Sequence, residues 1–157
     1  MDDWRIRFGP ALTPVFRTWW RWSRPMTLGV RGFATDEDGR VLLVRHTYAK
    51  GWHFPGGGVE HGESALSAII REMAEEAGLE TIDAPQLVGF YSNHNNFRHD
   101  HVVLYRVGAA RPCPPRENGE IAERGWFAPD ALPPDTTGGT RRRIVEILGG
   151  GEPSTHW

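Results

Sequence analysis

The stretch Arg71–Gly78 reads REMAEEAG and places three glutamates, Glu72, Glu75 and Glu76, in one short segment. It closes the longer run SALSAIIREMAEEAG (64–78), in which Leu66, Ile69, Ile70, Met73 and Ala77 recur at helical spacing. At about 100° per residue these apolar side chains form one stripe that would pack on a sheet, and the glutamates fall on a neighbouring arc. Ser64 suits the N-cap and Gly78 the C-terminal stop. Glu72 and Glu76 stand one turn apart, where like charges repel by about 0.2–0.5 kcal/mol. Near a core edge the repulsion grows, because burial also penalises ionised carboxylates. A divalent cation would relieve it. Oxygen-only ligands suit Mg²⁺, with Mn²⁺ as a substitute. The competing explanation is an ordinary solvated acidic face.

The loop before this helix separates the two. Residues 50–63 read KGWHFPGGGVEHGE. Gly56, Gly57 and Gly58 let the backbone approach a ligand closely, since no Cβ intrudes, and a carbonyl there can complete an oxygen shell. Glu63, just before the helix, is placed to pair with Arg71 and pin the loop to it. The whole segment Gly57–Leu79, GGVEHGESALSAIIREMAEEAGL, resembles the Nudix box, G-x5-E-x7-R-E-U-x-E-E-x-G-U, where U is bulky and aliphatic. Gly57, Glu63, Arg71, Glu72, Glu75, Glu76 and Gly78 match every fixed position, and Leu79 fits the last U. Met73 at the first U is a mild departure.

The resemblance implies an α+β fold, an α/β/α sandwich around a mixed sheet. It also implies hydrolysis of a nucleoside diphosphate derivative or nucleoside triphosphate by metal-activated water, usually with Mg²⁺. On that reading Glu72, Glu75, Glu76 and the Gly56 carbonyl hold metal, while Gly57, Glu63, Arg71 and Gly78 support the site. The general base is Glu72, Glu75 or a carboxylate on a late loop. In NGEIAERGWF (118–127) Glu120 is the first candidate and Glu123 the second. Arg45, Arg31 and Tyr48 are the candidates for substrate contact: arginines for phosphate, the ring for a base. Subfamily markers are missing. The proline of ADP-ribose hydrolases falls at Asn95, and the tyrosine of diadenosine polyphosphate hydrolases at Asn96. A second reading is a catalytically silent nucleotide-sensing module of the same fold. The intact set of box carboxylates speaks for the enzyme.

Around the box, MTLGVRGFA (26–34) and RVLLVRH (40–46) read as paired strands about a DEDG turn. QLVGFYSN (86–93) and DHVVLYRV (100–107) read as two more strands, ERGWFA (123–128) as another, and TRRRIVEIL (140–148) as a closing helix. RPCPPREN (111–118) reads as a connection. These elements form one domain, 26–149. It is preceded by a Trp-rich amphipathic helix within residues 1–25, expected to pack on the domain or across a homodimer, and followed by a flexible tail, 150–157.

The chain has 157 residues, a formal charge of −2 and one cysteine, Cys113. That balance offers no global attraction for nucleic acid or an anionic membrane. One cysteine allows no internal disulfide, and no secretory leader or spanning segment is evident, so the expectation is a cytoplasmic protein; the resemblance implies a small nucleotide as its partner. The seven histidines follow no zinc-site spacing.

Overall fold

The computed structural model describes residues 26–115, 119–149, 151 and 154–157. The expected Trp-rich helix lies outside them. Three ladders of strands build the sheet region. Strand β1 (Thr27–Phe33) pairs in parallel with β6 (Asp100–Arg106), which pairs antiparallel with β5 (Gln86–Ser92). Strand β2 (Val41–His46) lies between β3 (Trp52–His53) and β8 (Ile121–Phe127), antiparallel to both. A short ladder joins β4 (Leu79–Thr81) to β7 (Ala110–Pro112).

Two helices cover opposite faces, and the strands record this in their alternation. Helix α1 (Ala65–Glu72) continues into one π-helical turn, Met73–Ala77. Its Ala68, Ile69 and Met73 pack with Val30, Leu42, Val103 and Tyr105. Ile144 of helix α2 (Gly138–Gly149) packs instead with Phe33, Val41, Leu43, Leu104 and Tyr91. Neighbours along β2 and β6 thus point to different helices, as period-two strands require. A strand buried on both faces has no polar side to show, which is why VLLV is an unbroken apolar run. The mixed sheet between two helical layers is the expected sandwich.

Three expectations need correction. The DEDG turn forms, with Asp36 accepting from the amides of Asp38 and Arg40 and Gly39 at φ 75°. Its flanking strands do not make a hairpin, however. They share the bridge Thr35↔Val41 and then diverge, β1 into a seven-residue ladder with β6 and β2 toward β8. The longer ladders satisfy more backbone groups. Second, the buried stripe of α1 is rotated from the one expected. Leu66 and Ile70 are exposed, and Ile69, Glu72, Met73 and Glu76 are buried. Two of the glutamates therefore occupy the inward face, at i, i+3, i+4 and i+7. Third, the described tail residues 154–157 are not loose. Ser92 and His156 form a parallel bridge, and Trp157 packs against the α2-side core. The short strands β3, β4 and β7 carried no periodic signal, since two or three residues are too few to show one. Among the described residues no helix is long and apolar enough to cross a membrane.

Candidate active site

Ser64 caps α1 as expected, its Oγ accepting from Ser67 N at 3.0 Å. The helix ends in the π turn, where Gly78 at φ 68° donates its N–H to Met73 O. A π turn adds a residue to one turn, a device often found at functional sites. Here it lies beneath Glu75 and Glu76.

Arg71 organises the entrance. Its Nε and Nη2 reach the two oxygens of Glu63 at 3.0 and 3.1 Å, its Nη1 reaches Glu72 Oε1 at 2.7 Å and Glu75 Oε2 at 3.4 Å, and its Nη2 donates to Gly58 O at 3.2 Å. The loop-to-helix pin expected of Glu63 and Arg71 is thus in place. Hydrogen bonding to Glu63 raises the pKa of the guanidinium, while Arg71 and the Glu60 amide hold the Glu63 carboxyl below its ordinary value.

Glu72 lies against Gly57. A Cβ built on Gly57 would stand 2.8 Å from Glu72 Cδ and 3.1 Å from its Oε2. Burial pushes the Glu72 carboxyl above its ordinary pKa, and the charges of Glu76 and Glu75 act in the same direction against Arg71. Glu76 is also buried, with Oε1 2.9 Å from His46 Nε2 and Oε2 accepting from Gly56 N at 2.8 Å. Arg124 on β8 donates to Glu76 O and ties the helix end to the sheet.

Glu72, Glu75, Glu76, Glu60, Arg71 and Glu120 line one cleft of about 370 Å³. Glu120 comes from the segment that leads into β8. Thr47 draws it in, donating its N–H to Glu120 O at 2.8 Å and its hydroxyl to Gly119 O at 3.0 Å. Gly58 belongs both to this cleft and to a larger one of about 860 Å³ lined by Arg31, Tyr48, Phe54, Asn93 and Trp157. Arg31 Nη1 donates to Phe54 O at 3.2 Å and to the Gly56 carbonyl. Arg45 is elsewhere. It pairs with Glu123, lies 5.9 Å over the Trp52 ring and lines a separate hollow with Lys50 and Asp135. Adjacent strand residues face opposite sides, so β2 cannot aim both Arg45 and His46 at the helix. His46, which the sequence reading passed over, is the one that reaches Glu76; counting the alternation along VLLVRH would have found it.

The carboxylates suit a hard dication. They are oxygen donors, two of them are buried with excess negative charge, and Gly57 leaves the space that a Cβ would take. As arranged, Arg71, His46 and the Gly56 amide hold these oxygens. Among the described residues no three acidic, histidine or cysteine side chains already stand in ion-holding geometry. The Gly56 carbonyl, expected as a ligand, accepts from Arg31 instead; a guanidinium beside it repels a second cation.

Residues 25–147 match the family model described as NUDIX domain. The chain is 27% identical over 132 residues to a MutT-like protein of Streptomyces ambofaciens, covering 81% of this chain and 80% of that one. It is 30% identical over 119 residues to an RNA pyrophosphohydrolase of Teredinibacter turnerae, covering 75% of this chain and 60% of that protein. The crystal structure of a MutT NUDIX hydrolase from Burkholderia pseudomallei matches with a TM-score of 0.66 and 28% identity, over 79% of this chain and 99% of that one. Motif, sandwich and relatives agree, and the chain belongs to the NUDIX domain family, whose members are hydrolases acting on phosphoanhydride bonds.

Proposed function

We propose that this chain cleaves a phosphoanhydride bond in a nucleoside triphosphate or a nucleoside diphosphate derivative, with Mg²⁺ or Mn²⁺ held by Glu72, Glu75 and Glu76. The observation that carries this reading is the meeting of two clefts at Gly58: one lined by carboxylates, the other by two arginines, Arg31 and Arg142, and aromatic rings. A bound dication would screen the polyphosphate and supply a water of lowered pKa.

The chain's own residues do the rest. Arg31 lies where a phosphate would enter, and leaving the Gly56 carbonyl for a phosphate oxygen would free that carbonyl as a ligand. Glu120 is the base we assign. It faces the same cleft, and Thr47 fixes its backbone, so its carboxylate can take a proton from attacking water. Arg71 and Glu63 hold the helix and loop together throughout and need not touch substrate.

The test is a panel of nucleoside triphosphates, oxidised triphosphates, ADP-ribose, sugar nucleotides and dinucleoside polyphosphates with Mg²⁺ or Mn²⁺. Phosphate or pyrophosphate release from the triphosphates, and the phosphate monoesters and nucleotides formed from the other members, are followed for the parent and for Glu76→Gln. Turnover of a panel member that is lost in the variant is the expected result. Equal turnover in both at limiting Mg²⁺ would overturn the assignment of Glu76.

A further inference from the structure

The larger cleft has one wall that neither the box nor the carboxylate cleft explains. It is Trp157, delivered by the tail. Ser92 N donates to Thr155 O at 2.9 Å and Trp157 N donates to Ser92 O at 2.9 Å, so the tail runs beside the end of β5. Arg142 Nη2 donates to Trp157 O at 2.6 Å and Arg143 Nη1 to His156 O at 2.7 Å. Arg143 is only 2% exposed. Its guanidinium lies 4.4 Å over the Tyr91 ring and pairs with Glu146 at 2.9 Å, and Tyr91 donates its hydroxyl to Glu146 at 2.8 Å. A buried arginine is costly unless it is paired and bonded. Here a buried pair holds a backbone carbonyl of the tail.

What this machinery positions is an indole. The Trp157 ring meets Phe54 edge-on at 6.4 Å and Tyr91 edge-on at 5.7 Å. It lies against Gly139, where a Cβ would come within 2.6 Å of its Cδ1. Trp157 is half-buried and lines the cleft. Phe54 links the two ends, since its carbonyl accepts from Arg31 and its ring touches Trp157. A substrate with phosphates at Arg31 and Gly58 therefore extends toward a fixed aromatic surface.

We propose that Trp157 is the wall against which the substrate's base packs, a specificity-determining residue that favours purines over pyrimidines and takes no part in bond cleavage. The inference rests on the nucleotide reading above. Its physical basis is that a flat ring accepts any base face, and a purine covers more of it.

Trp157→Ala and Trp157→Phe are compared with the parent for ATP, GTP, CTP and UTP. KM and kcat are measured where turnover occurs, and equilibrium binding where it does not. Inorganic tripolyphosphate serves as the base-free ligand, and near-ultraviolet circular dichroism checks the fold. Trp157→Ala is expected to weaken purine nucleotides about tenfold in KM or Kd, to narrow the purine preference, and to leave kcat and tripolyphosphate binding within twofold. Trp157→Phe keeps a ring and the fold and is expected to lose two- to threefold. Unchanged purine affinity in both variants overturns the proposal, as does an equal loss for tripolyphosphate. A parent that binds none of the four nucleotides also overturns it. Purine binding that depends on Trp157 without turnover of any panel member would leave this wall standing and refute the hydrolytic reading instead.

Discussion

Gly57→Ala tests the site through one methyl group. Gly57 has no left-handed backbone, so alanine is tolerated there locally. The new Cβ would stand 2.8 Å from Glu72 Cδ, and the carboxylate must retreat by about 1 Å to reach ordinary contact distance. It cannot retreat freely, because Arg71 holds Glu72 Oε1 at 2.7 Å while the helix buries the side chain. Crowding of this kind costs about 1–3 kcal/mol. In a chain of this size that lowers Tm by roughly 2–10 °C. Displacing a reacting group by 1 Å costs about a hundredfold in rate. Thermal unfolding without metal and turnover at saturating Mg²⁺ read the two effects. Gly58→Ala is the control, since a Cβ there meets nothing within 4 Å and its Tm should equal the parent's. Gly57→Ala with the parent's Tm and turnover within twofold would refute the claim that Glu72 needs the space Gly57 leaves.

Gly56→Ala fails for a different reason: its φ is 141° and the Cβ would lie 2.9 Å from the Val30 carbonyl carbon, so the expected result is little soluble folded protein, checked by circular dichroism. His46→Ala leaves Glu76 Oε1 buried without its partner, which costs about 1–3 kcal/mol; chemical denaturation measures it, and Mg²⁺ should recover part of the loss. The raised pKa of Glu72 has a definite sign. The folded state binds that proton more tightly than the unfolded one, so its contribution is full below the ordinary carboxylate pKa and is lost as pH rises through the folded value. Without metal, the parent's stability relative to Glu72→Gln should therefore fall as pH rises above the ordinary carboxylate range, and a constant difference across denaturation series would sink the claim. Arg111→Ala removes the exposed pair with Glu80 and should leave Tm unchanged.

Much of the site was legible because its chemistry is local. Glu63, Arg71, Glu72, Glu75, Glu76 and Gly78 belong to one loop and one helix, and a short segment carries its own spacing and caps. The apolar runs of β2 and β6 likewise announced strands, and the structure added that both faces are buried. Three features were not legible, each for its own reason. The DEDG turn is local and formed as read, but the long ladders of β1 and β2 are made with Asp100–Arg106 and Ile121–Phe127, about 70 to 90 residues away in the chain, and nothing in a turn states which ladder will win. Arg45 looked like the phosphate contact because it precedes the glycine loop, yet the pleat turned it away and presented His46. The tail was expected to be flexible, while its anchors, Arg142 and Arg143, were hidden among three consecutive arginines that differ in the direction they face.

The sequence by itself determined the family, the sandwich and the cluster of carboxylates, since residue type and spacing along one helix suffice for these. The tertiary structure alone decided that two of those carboxylates face inward, that Glu120 rather than Glu123 lines their cleft, that Arg31 rather than Arg45 borders the larger one, and that Trp157 walls it. Each of those outcomes depends on which face of an element is buried and on contacts between distant segments, and a linear chain does not encode either until it folds.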